Sequence, residues 1–562
     1  MKRIDLSARA RLSRRAFVAG MAATAPAGWL ARNAAAQSDS AGAPRSIASG
    51  TFKPTWESLL QYKAPDWFRD AKFGIWAHWT AQCVPEQGDW YARQMYIQGH
   101  PHYDFHVKTF GHPSKVGFME IDNRWKADKW EPSALMDLYV KAGAKYFVAL
   151  ANHHDNLDNY DSTYHEWNSL RVGPKKDIVG TWAKLARENS LRFGVTNHSA
   201  HSWHWFQTAY GYDPEGPMAG IPYDGFLTKA DGKGKWWEGL DPQHLYNGAI
   251  MPMPKGITTI KGANDFHAAN DRKWDEAPPP GHPEFVDRWF LRCQDLIDKY
   301  QPDLLYFDNT ELPLGQAGLD IAAHYYNSNM RNHNGRLEAV LNSKGLQPGR
   351  VGSMVLDIER GKADQILATP WQTDTCIGDW HYKRSLFDTH KYKTVPQVVH
   401  MLADIVSKNG NLLLNIPLRG DGSIDEDEHA FLTGIATWMS ANGEAIYGTR
   451  PFTVYGEGSP ETGGTKNFNE NRTTPYTAED IRFTTKGSTL YAIALAWPTD
   501  GKLRIRTLAY GNRNYPGEVG RIEMLGVNGT FQFTRDNQGL NIDVGTQRPN
   551  NIAYVLKIQP RA

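Results

Sequence analysis

The sequence predicts a parallel (β/α)8-like barrel that is followed by a C-terminal antiparallel β-sandwich. Over residues 55–451, short apolar runs alternate with amphipathic stretches, a pattern typical of a parallel sheet covered by helices. Polar residues directly follow several of these runs, at the position where a barrel gathers its active site. An open doubly wound sheet would show the same alternation, but it usually carries a glycine-rich phosphate loop, which this sequence lacks. Residues 452–562 change to short alternating runs between Gly, Asn and Pro turns, as in β-sandwiches.

Continuous apolar runs mark the predicted parallel strands, because such strands are buried on both faces. They are Lys72 to His78, Lys145 to Ala151, Arg192 to Thr196, Asp303 to Phe307 and Asn411 to Ile416. Pro132 to Ala142 is predicted as a helix, since proline occupies its first turn and Gly143 follows its end. An apolar stripe predicts a second helix around residues 284–300. The C-terminal strands are predicted at Ile481 to Thr484, Leu490 to Leu495, Leu503 to Arg506 and Ala553 to Ile558.

Length and charge limit the possible functions. With 562 residues the chain exceeds one hydrophobic core, so at least two folded domains are expected. The 62 Lys and Arg residues nearly balance the 61 Asp and Glu residues, so no basic field exists for nucleic acid or an anionic membrane. Flat indole faces often bind sugar rings, and 20 Trp residues suit that role, although a large core also uses them. The three cysteines are too far apart to suggest a disulfide framework or a thiolate metal site.

The N-terminal segment resembles a twin-arginine export signal, predicted over residues 1–36. Arg14 and Arg15 precede a short Ala-rich apolar stretch that ends near Ala36 at a small-residue cleavage site. A buried helix or a membrane anchor fits less well, because Pro26 and Arg32 interrupt the stretch. We therefore expect a periplasmic or secreted protein with a flexible leader at 37–54 and no later membrane span.

A long segment at 205–283 interrupts the predicted barrel. It is rich in Gly, Pro and Trp and exceeds ordinary loop lengths, so we expect it to overhang the site as a lid. Its Trp236 and Trp237 suit either a subsite wall or packing within the lid.

Asp308 is the first candidate for chemistry. It ends an apolar strand, where a carboxylate would be held at the mouth of the barrel as a nucleophile. Taken alone, an N-cap for the following segment explains this position equally well.

Paired histidines follow another predicted strand. His153 and His154 could donate hydrogen bonds to sugar hydroxyls, or serve structurally. Adjacent strand residues point to opposite sides, so these two rings are not expected to converge on one metal ion.

Several blocks together resemble the glycoside hydrolase family 29 α-L-fucosidases. The resemblance rests on FGIWAHW (73–79), DWY (89–91), AGAKY (142–146), HHD (153–155), PDLLYFD (302–308), SKNGNLLLNI (407–416) and NGEAIYGTRP (442–451). No single block is specific, but their order and spacing follow the family from about residue 55 to 451, and the tail resembles its β-sandwich.

The resemblance implies a retaining double displacement on a terminal α-L-fucosyl residue, with Asp308 as the nucleophile. It further implies that His78, His153 and His154 bind the fucose hydroxyls and that Trp90 and Tyr91 form an aromatic wall. We expect Trp380 to contact the C5 methyl group. No cofactor and no metal are expected, because a carboxyl pair supplies both the nucleophile and the proton.

The acid/base falls in a variable part of the family. Glu359 follows a predicted strand and precedes Arg360, which could contact the sugar or the nucleophile. Asp374 is the second candidate, in a block where Gln372 stands in place of the glutamate that relatives often carry. An ion pair between Glu359 and Arg360 would instead be purely structural.

Three alternatives stay open at this point. An α-L-galactosidase could use the same site, because a hydrophobic pocket rejects one added hydroxyl only weakly. A decayed fucose-binding lectin would keep the histidines without a competent proton donor. A metal-dependent hydrolase would lose activity on chelation. The linkage, the natural fucosylated glycan and the oligomeric state are not predicted.

Overall fold

A computed structural model describes residues 45–273, 276–459, 464–471 and 475–561. The predicted export signal and most of the leader lie outside these residues. The barrel and the C-terminal sheets belong to one compact unit, Ile47–Ala562. Of the preceding unit, Met1–Ser46, only residues 45 and 46 are described. None of the described helices is both long and apolar enough to cross a membrane.

Eight parallel strands close into a barrel, which confirms the predicted fold class. The strands are β1 (Phe73–Ala77), β2 (Tyr146–Asn152), β3 (Arg192–Asn197), β4 (Leu304–Phe307), β5 (Val340–Ser343), β6 (Val355–Asp357), β7 (Trp371–Cys376) and β8 (Gly410–Asn415). Closure comes from β1, which pairs with β2 through Gly74 and Tyr146 and with β8 through Ile75 and Leu414. Nearly every strand residue is buried, as expected where helices cover the outer face.

Helices cover most of the barrel. In chain order they are α1 (Trp56–Leu59), α2 (Asp66–Ala71), α3 (Tyr91–Gln94), α4 (Pro101–Thr109), α5 (Phe118–Arg124), α6 (Pro132–Lys141), α7 (Ile178–Glu188), α8 (Ser202–Trp205), α9 (Pro242–Leu245), α10 (Ile260–Asn270), α11 (Pro283–Tyr300), α12 (Gln316–Asn332), α13 (Arg384–Asp388), α14 (Val395–Ser407) and α15 (Glu426–Asn442). Local sequence sets their starts: Asp425 and Glu428 form a capping box at α15, and Pro132 begins α6.

Two strands of the barrel, β5 and β7, are absent from the sequence prediction, and β6 entered it only as the strand before Glu359. β5 has only four residues, too few for a recognisable apolar run. β7 carries Gln372, Thr373 and Asp374 in its middle, yet all six of its residues are buried. A polar strand gives no apolar signal. Its burial is possible because polar neighbours bond its side chains, as Asp357 bonds Gln372 and Tyr306 bonds Asp374.

The segment predicted as a lid folds around buried polar pairs. Tyr96 and Tyr246 each donate a hydroxyl hydrogen bond to Asp224, at 2.7 and 2.6 Å. Trp237 is 1% exposed and lies in the core, whereas Trp236 donates its indole hydrogen to Glu120 at 2.8 Å. These contacts agree with the expectation that Trp236 and Trp237 pack within the protein, rather than with a role as the wall of a subsite.

The C-terminal region forms two antiparallel sheets. Its strands are β9 (Arg450–Glu457), β10 (Ile481–Lys486), β11 (Thr489–Ala494), β12 (Lys502–Ile505), β13 (Val519–Met524), β14 (Phe533–Asp536), β15 (Gly539–Asp543) and β16 (Tyr554–Pro560). One sheet has the order β13-β16-β11-β10-β9, and the other has the order β12-β15-β14. Because β9 starts at Arg450, the antiparallel architecture begins two residues before the expected boundary at 452.

A buried ionic group joins the barrel to the first of these sheets. Asp404, on α14, accepts hydrogen bonds from Lys408 at 2.7 Å and from Arg482, on β10, at 2.6 Å. All three side chains are at most 2% exposed. Burial would raise the pKa of Asp404, but the two cations lower it to about 2.

We predict that Asp404→Asn lowers the free energy of unfolding by about 3–5 kcal/mol, because two buried cations lose their counter-ion. The urea midpoint measures this loss. The pKa of Asp404 is depressed in the folded protein, so its stabilising effect is present above pH 4 and disappears as the pH falls towards 2. Asp388→Asn, which removes an exposed ion pair with Arg384, is the control and should change little. Equal effects of both changes would contradict the prediction.

Candidate active site

Six polar side chains meet at the carboxyl-terminal ends of the first six barrel strands. Each follows its strand at once, or after one residue in the case of Glu359. They are His78 after β1, His153 after β2, His198 after β3, Asp308 after β4, Lys344 after β5 and Glu359 after β6. Parallel strands in a closed barrel bring their ends to one face, so side chains up to 281 residues apart lie together there.

Asp308 is surrounded by potential hydrogen-bond donors. Its Oδ2 lies 3.4 Å from Nε2 of His154 and 3.5 Å from Nδ1 of His198, and its Oδ1 contacts Nζ of Lys344. The residue is only 7% exposed. Burial would raise the pKa of Asp308, but the Lys344 ammonium and the His198 ring lower it well below its usual range. Asp308 is therefore ionised at neutral pH, as a carboxylate nucleophile must be.

Lys344 also contacts the second carboxyl group of the site. Its Nζ lies 2.6 Å from Oε2 of Glu359. Burial raises the pKa of Glu359, and the negative charge of Asp308 raises it further, although Lys344 acts in the opposite direction. Because one ammonium nitrogen contacts both groups, their nearest oxygens lie within about 5 Å of each other, which suits the carboxyl separation of retaining glycosidases.

The two carboxyl groups therefore have pKa values displaced in opposite directions. Such a pair, with one group held ionised and the other more easily protonated, separates a nucleophile from an acid. The alternative ion pair between Glu359 and Arg360 does not form, since Arg360 binds Glu470 at 3.0 Å.

The histidines form a buried and mostly neutral wall. Burial lowers the pKa of His78 and His153 well below 6.5, and neighbouring histidines lower both further. Burial also lowers the pKa of His198, to about 4. Within the described part of the chain, Nδ1 of His78 and Nε2 of His198 are buried without a hydrogen-bond partner. Unpartnered buried nitrogens beside a pair of carboxyl groups indicate a polar ligand there.

Gln82 fixes the orientation of His153. Its amide oxygen accepts the backbone hydrogen bond of Ala92 at 3.3 Å, so its amide nitrogen donates to Nδ1 of His153 at 2.8 Å. The proton of the neutral ring is then on Nε2, 4.0 Å from Asp89, and is free to donate to a hydroxyl group. His381 holds Asp89 in turn, at 2.8 Å.

Among the described residues, three groups of donor atoms lie close enough together for metal ligation to be considered, and every member except Asp89 is buried. The groups, each within 4.8 Å, are His78 with His153 and His198; Asp89 with His153 and His381; and His154 with His198 and Asp308. His153 and His154 fall into different groups, because the adjacent rings face different neighbours.

Two tryptophans flank the histidines. Trp380 is half-buried, with its ring 5.7 Å from His78 and 5.4 Å from Trp76. The ring of Trp205 lies 5.9 Å from His153 and 5.7 Å from His154, and Trp90 packs against it at 6.4 Å. The segment predicted as a lid thus begins with a residue of the pocket wall.

Tyr91 and Asp374 take positions other than those predicted for them. Tyr91 is fully buried and bonds His106 of α4 at 2.7 Å, so its side chain contacts α4 rather than His78, His153 or His154. Asp374 is 1% exposed and accepts a hydrogen bond from Tyr306 at 3.3 Å. Burial and the nearby Asp357 raise the pKa of Asp374 well above its usual value. Gln372 bonds Asp357 and Tyr146 in the barrel interior.

Lys344 and Trp205 are the site residues that the sequence prediction missed. Lys344 follows β5 as Asp308 follows β4, so the rule that found Asp308 would have found it had β5 been recognised. The sequence prediction gave no role to His198 either, although this residue directly follows β3.

Two carboxyl groups lie at the mouth of the barrel, beside buried histidines and tryptophans, and their pKa values are displaced in opposite directions. This arrangement is that of a glycoside hydrolase. The family model described as "Alpha-L-fucosidase" matches residues 41–444, and the model of the "Alpha-L-fucosidase C-terminal domain" matches residues 474–559. The chain belongs to the α-L-fucosidase family.

Known relatives agree with this assignment. Human tissue α-L-fucosidase is 26% identical over 522 residues, which is 90% of this chain and 91% of the relative. A solved α-L-fucosidase superposes with a TM-score of 0.66 at 25% identity, covering 90% of this chain and all of that chain. The Thermotoga maritima α-fucosidase, solved with a mechanism-based inhibitor, superposes with a TM-score of 0.65 at 26% identity. The match covers 90% of this chain and 99% of that chain.

We predict that Lys344→Met lowers kcat/KM by roughly 10²- to 10³-fold, the range seen when one electrostatic contact of a catalytic centre is removed. Loss of the ammonium also removes the charge that lowers the pKa of Asp308. That pKa should rise, and the acid limb of the kcat/KM profile should move to higher pH. A profile on an aryl fucoside measures both effects.

Lys261→Met is the matched control for this change. Lys261 is 84% exposed and pairs with Asp265 on the surface, so its loss should leave the profile unchanged. An unshifted acid limb in Lys344→Met would contradict the prediction.

Proposed function

We propose that this protein is an exo-acting retaining α-L-fucosidase that removes terminal α-L-fucosyl residues from glycans. The observation that supports this mechanism best is that Lys344 contacts the carboxyl groups of both Asp308 and Glu359. The pKa values of these two groups are displaced in opposite directions. A retaining mechanism needs an ionised nucleophile and a protonated acid at this separation.

In the first step, the Asp308 carboxylate attacks the anomeric carbon and forms a covalent fucosyl-enzyme. Glu359 gives its proton to the glycosidic oxygen as the bond to the leaving group breaks. In the second step, Glu359 takes a proton from water, and the resulting hydroxide displaces Asp308 from the sugar. Lys344 holds both carboxyl groups in place during the two steps.

The proposed fucose pocket lies among the buried histidines. His78, His153 and His154 would bind the ring hydroxyls, and the unpartnered Nδ1 of His78 supports this role. Trp380 would contact the C5 methyl group, since its ring adjoins His78. Burial of these groups favours a terminal sugar inserted end-on, which supports exo action.

The test uses p-nitrophenyl α-L-fucoside with azide as an external nucleophile. Asp308→Ala should lose nearly all activity and regain turnover with azide, giving the inverted β-fucosyl azide. Glu359→Ala should lose about 10²- to 10⁴-fold on a fucoside with a poor leaving group. Its loss on the aryl substrate should be smaller, and azide should give the retained α-fucosyl azide.

Asp374→Asn is the comparison variant for the acid/base. If Asp374 rather than Glu359 supplied the proton, Asp374→Asn would give the retained azide, and Glu359→Ala would not. A wild type that turns over the galactoside but not the fucoside would favour the α-L-galactosidase alternative.

We also propose export by the twin-arginine route to the periplasm or the medium, on the basis of residues 1–36 alone. Joint Arg14→Lys and Arg15→Lys changes should leave the uncleaved chain in the cytoplasm of a host with this translocase. Arg11→Lys is the control and should not alter fractionation. Unchanged export of the double variant would refute the proposal.

A further inference from the structure

A segment between β9 and β10 packs against the loop that carries Glu359. We call residues 464–471 the rim segment. The backbone N–H of Phe468 donates to the carbonyl oxygen of Glu359 at 2.8 Å, and that of Glu470 donates to Arg360 at 3.0 Å. A Cβ at Gly361 would lie 2.3 Å from the carbonyl oxygen of Lys466, so this close backbone approach requires glycine.

Glu470 anchors the rim segment in the barrel. Its side chain is 3% exposed and accepts hydrogen bonds from Thr375 at 2.5 Å and from Lys393 and Arg360 at 3.0 Å. Burial would raise the pKa of Glu470, but the two cations lower it. The rim segment is therefore attached to β7 and to the Glu359 loop by charged contacts.

Phe468 is conspicuous in this setting because it stays exposed. Its side chain is 66% exposed, the highest value among the large apolar residues that the structure describes. Its φ of +56° lies in the left-handed region, which bulky residues rarely adopt. Arg360, on the facing loop, also has a positive φ, of +45°. Backbone strain of this kind concentrates where a protein binds a ligand.

The position of Phe468 beside the Glu359 loop indicates which part of the substrate it would contact. In the proposed mechanism Glu359 contacts the glycosidic oxygen, so the sugar beyond that oxygen must adjoin the Glu359 loop. On the inner side, Arg360 lies 6.0 Å from the ring of Trp380, which itself adjoins His78. The rim segment thus lies beside the Glu359 loop, where the proposed mechanism has the leaving group depart.

We propose that Phe468 forms the binding platform for the leaving-group sugar of the substrate, with its ring stacked on the apolar face of that pyranose. The C-terminal domain then contributes to substrate selection, although every catalytic residue lies on the barrel. This inference rests on the proposed function, because it requires Glu359 to be the proton donor.

The test compares two substrates that share the fucosyl group and differ in the leaving group. α-L-Fucosyl fluoride has no leaving-group sugar, and a panel of fucosyl disaccharides supplies one. Phe468→Ala should lower kcat/KM on the best disaccharide by about threefold to tenfold, the effect of one aromatic contact. It should leave kcat/KM on the fluoride unchanged. Phe468→Trp should restore the disaccharide rate.

Two further variants separate the ring from the backbone. Phe468→Gly also removes the ring but relieves the positive φ, so it should match Phe468→Ala on both substrates. Tyr510→Ala removes another exposed aromatic ring of the C-terminal domain, one that packs on Arg535, and should change neither rate.

The possible outcomes are distinguishable. Equal losses on the fluoride and the disaccharide would show a structural role and overturn the platform. Unchanged rates on both substrates would overturn it as well, while leaving the proposed function intact. A wild type that hydrolyses neither substrate would overturn the proposed function and the platform together.

Discussion

The ammonium group of Lys344 is the contact on which the site depends. Two buried carboxyl groups close together repel each other when both are ionised, and one would then take up a proton. Lys344 contacts both and lowers the pKa of Asp308, while the pKa of Glu359 stays raised. One cation therefore allows two neighbouring carboxyl groups to hold different protonation states, as the proposed double displacement requires.

The clustered histidines would repel one another if their rings were charged. Charged imidazolium rings packed within about 5 Å of one another would repel, and burial makes their charge still more costly. The pKa values of His78, His153 and His198 are accordingly lowered, so the wall presents neutral donors and acceptors. Neutral rings suit sugar hydroxyls, which need directed hydrogen bonds rather than charge.

Several contacts join the C-terminal domain to the barrel, and two of them are buried groups of charged side chains. Asp404, Lys408 and Arg482 form a buried ionic group between α14 and β10. Glu470 brings a second set of charged contacts to the end of β7, beside the Glu359 loop. Buried ion pairs add little net stability but penalise any arrangement that separates them. The two anchors therefore favour one placement of the domain, with its rim segment beside the site.

The sequence by itself predicted the barrel and the C-terminal sheets, because apolar runs are local signals. It marked Asp308 only as a carboxylate at a strand end, and the nucleophile role came from the family resemblance. It missed β5 and β7, since one is short and the other is polar. Only the tertiary structure decided that Lys344 and Trp205 join the pocket, that Tyr91 contacts α4 rather than the histidines, and that Arg360 pairs with Glu470 rather than Glu359. Barrel closure and domain packing bring these residues together from distant parts of the chain. A local sequence pattern therefore cannot predict which side chains will be in contact.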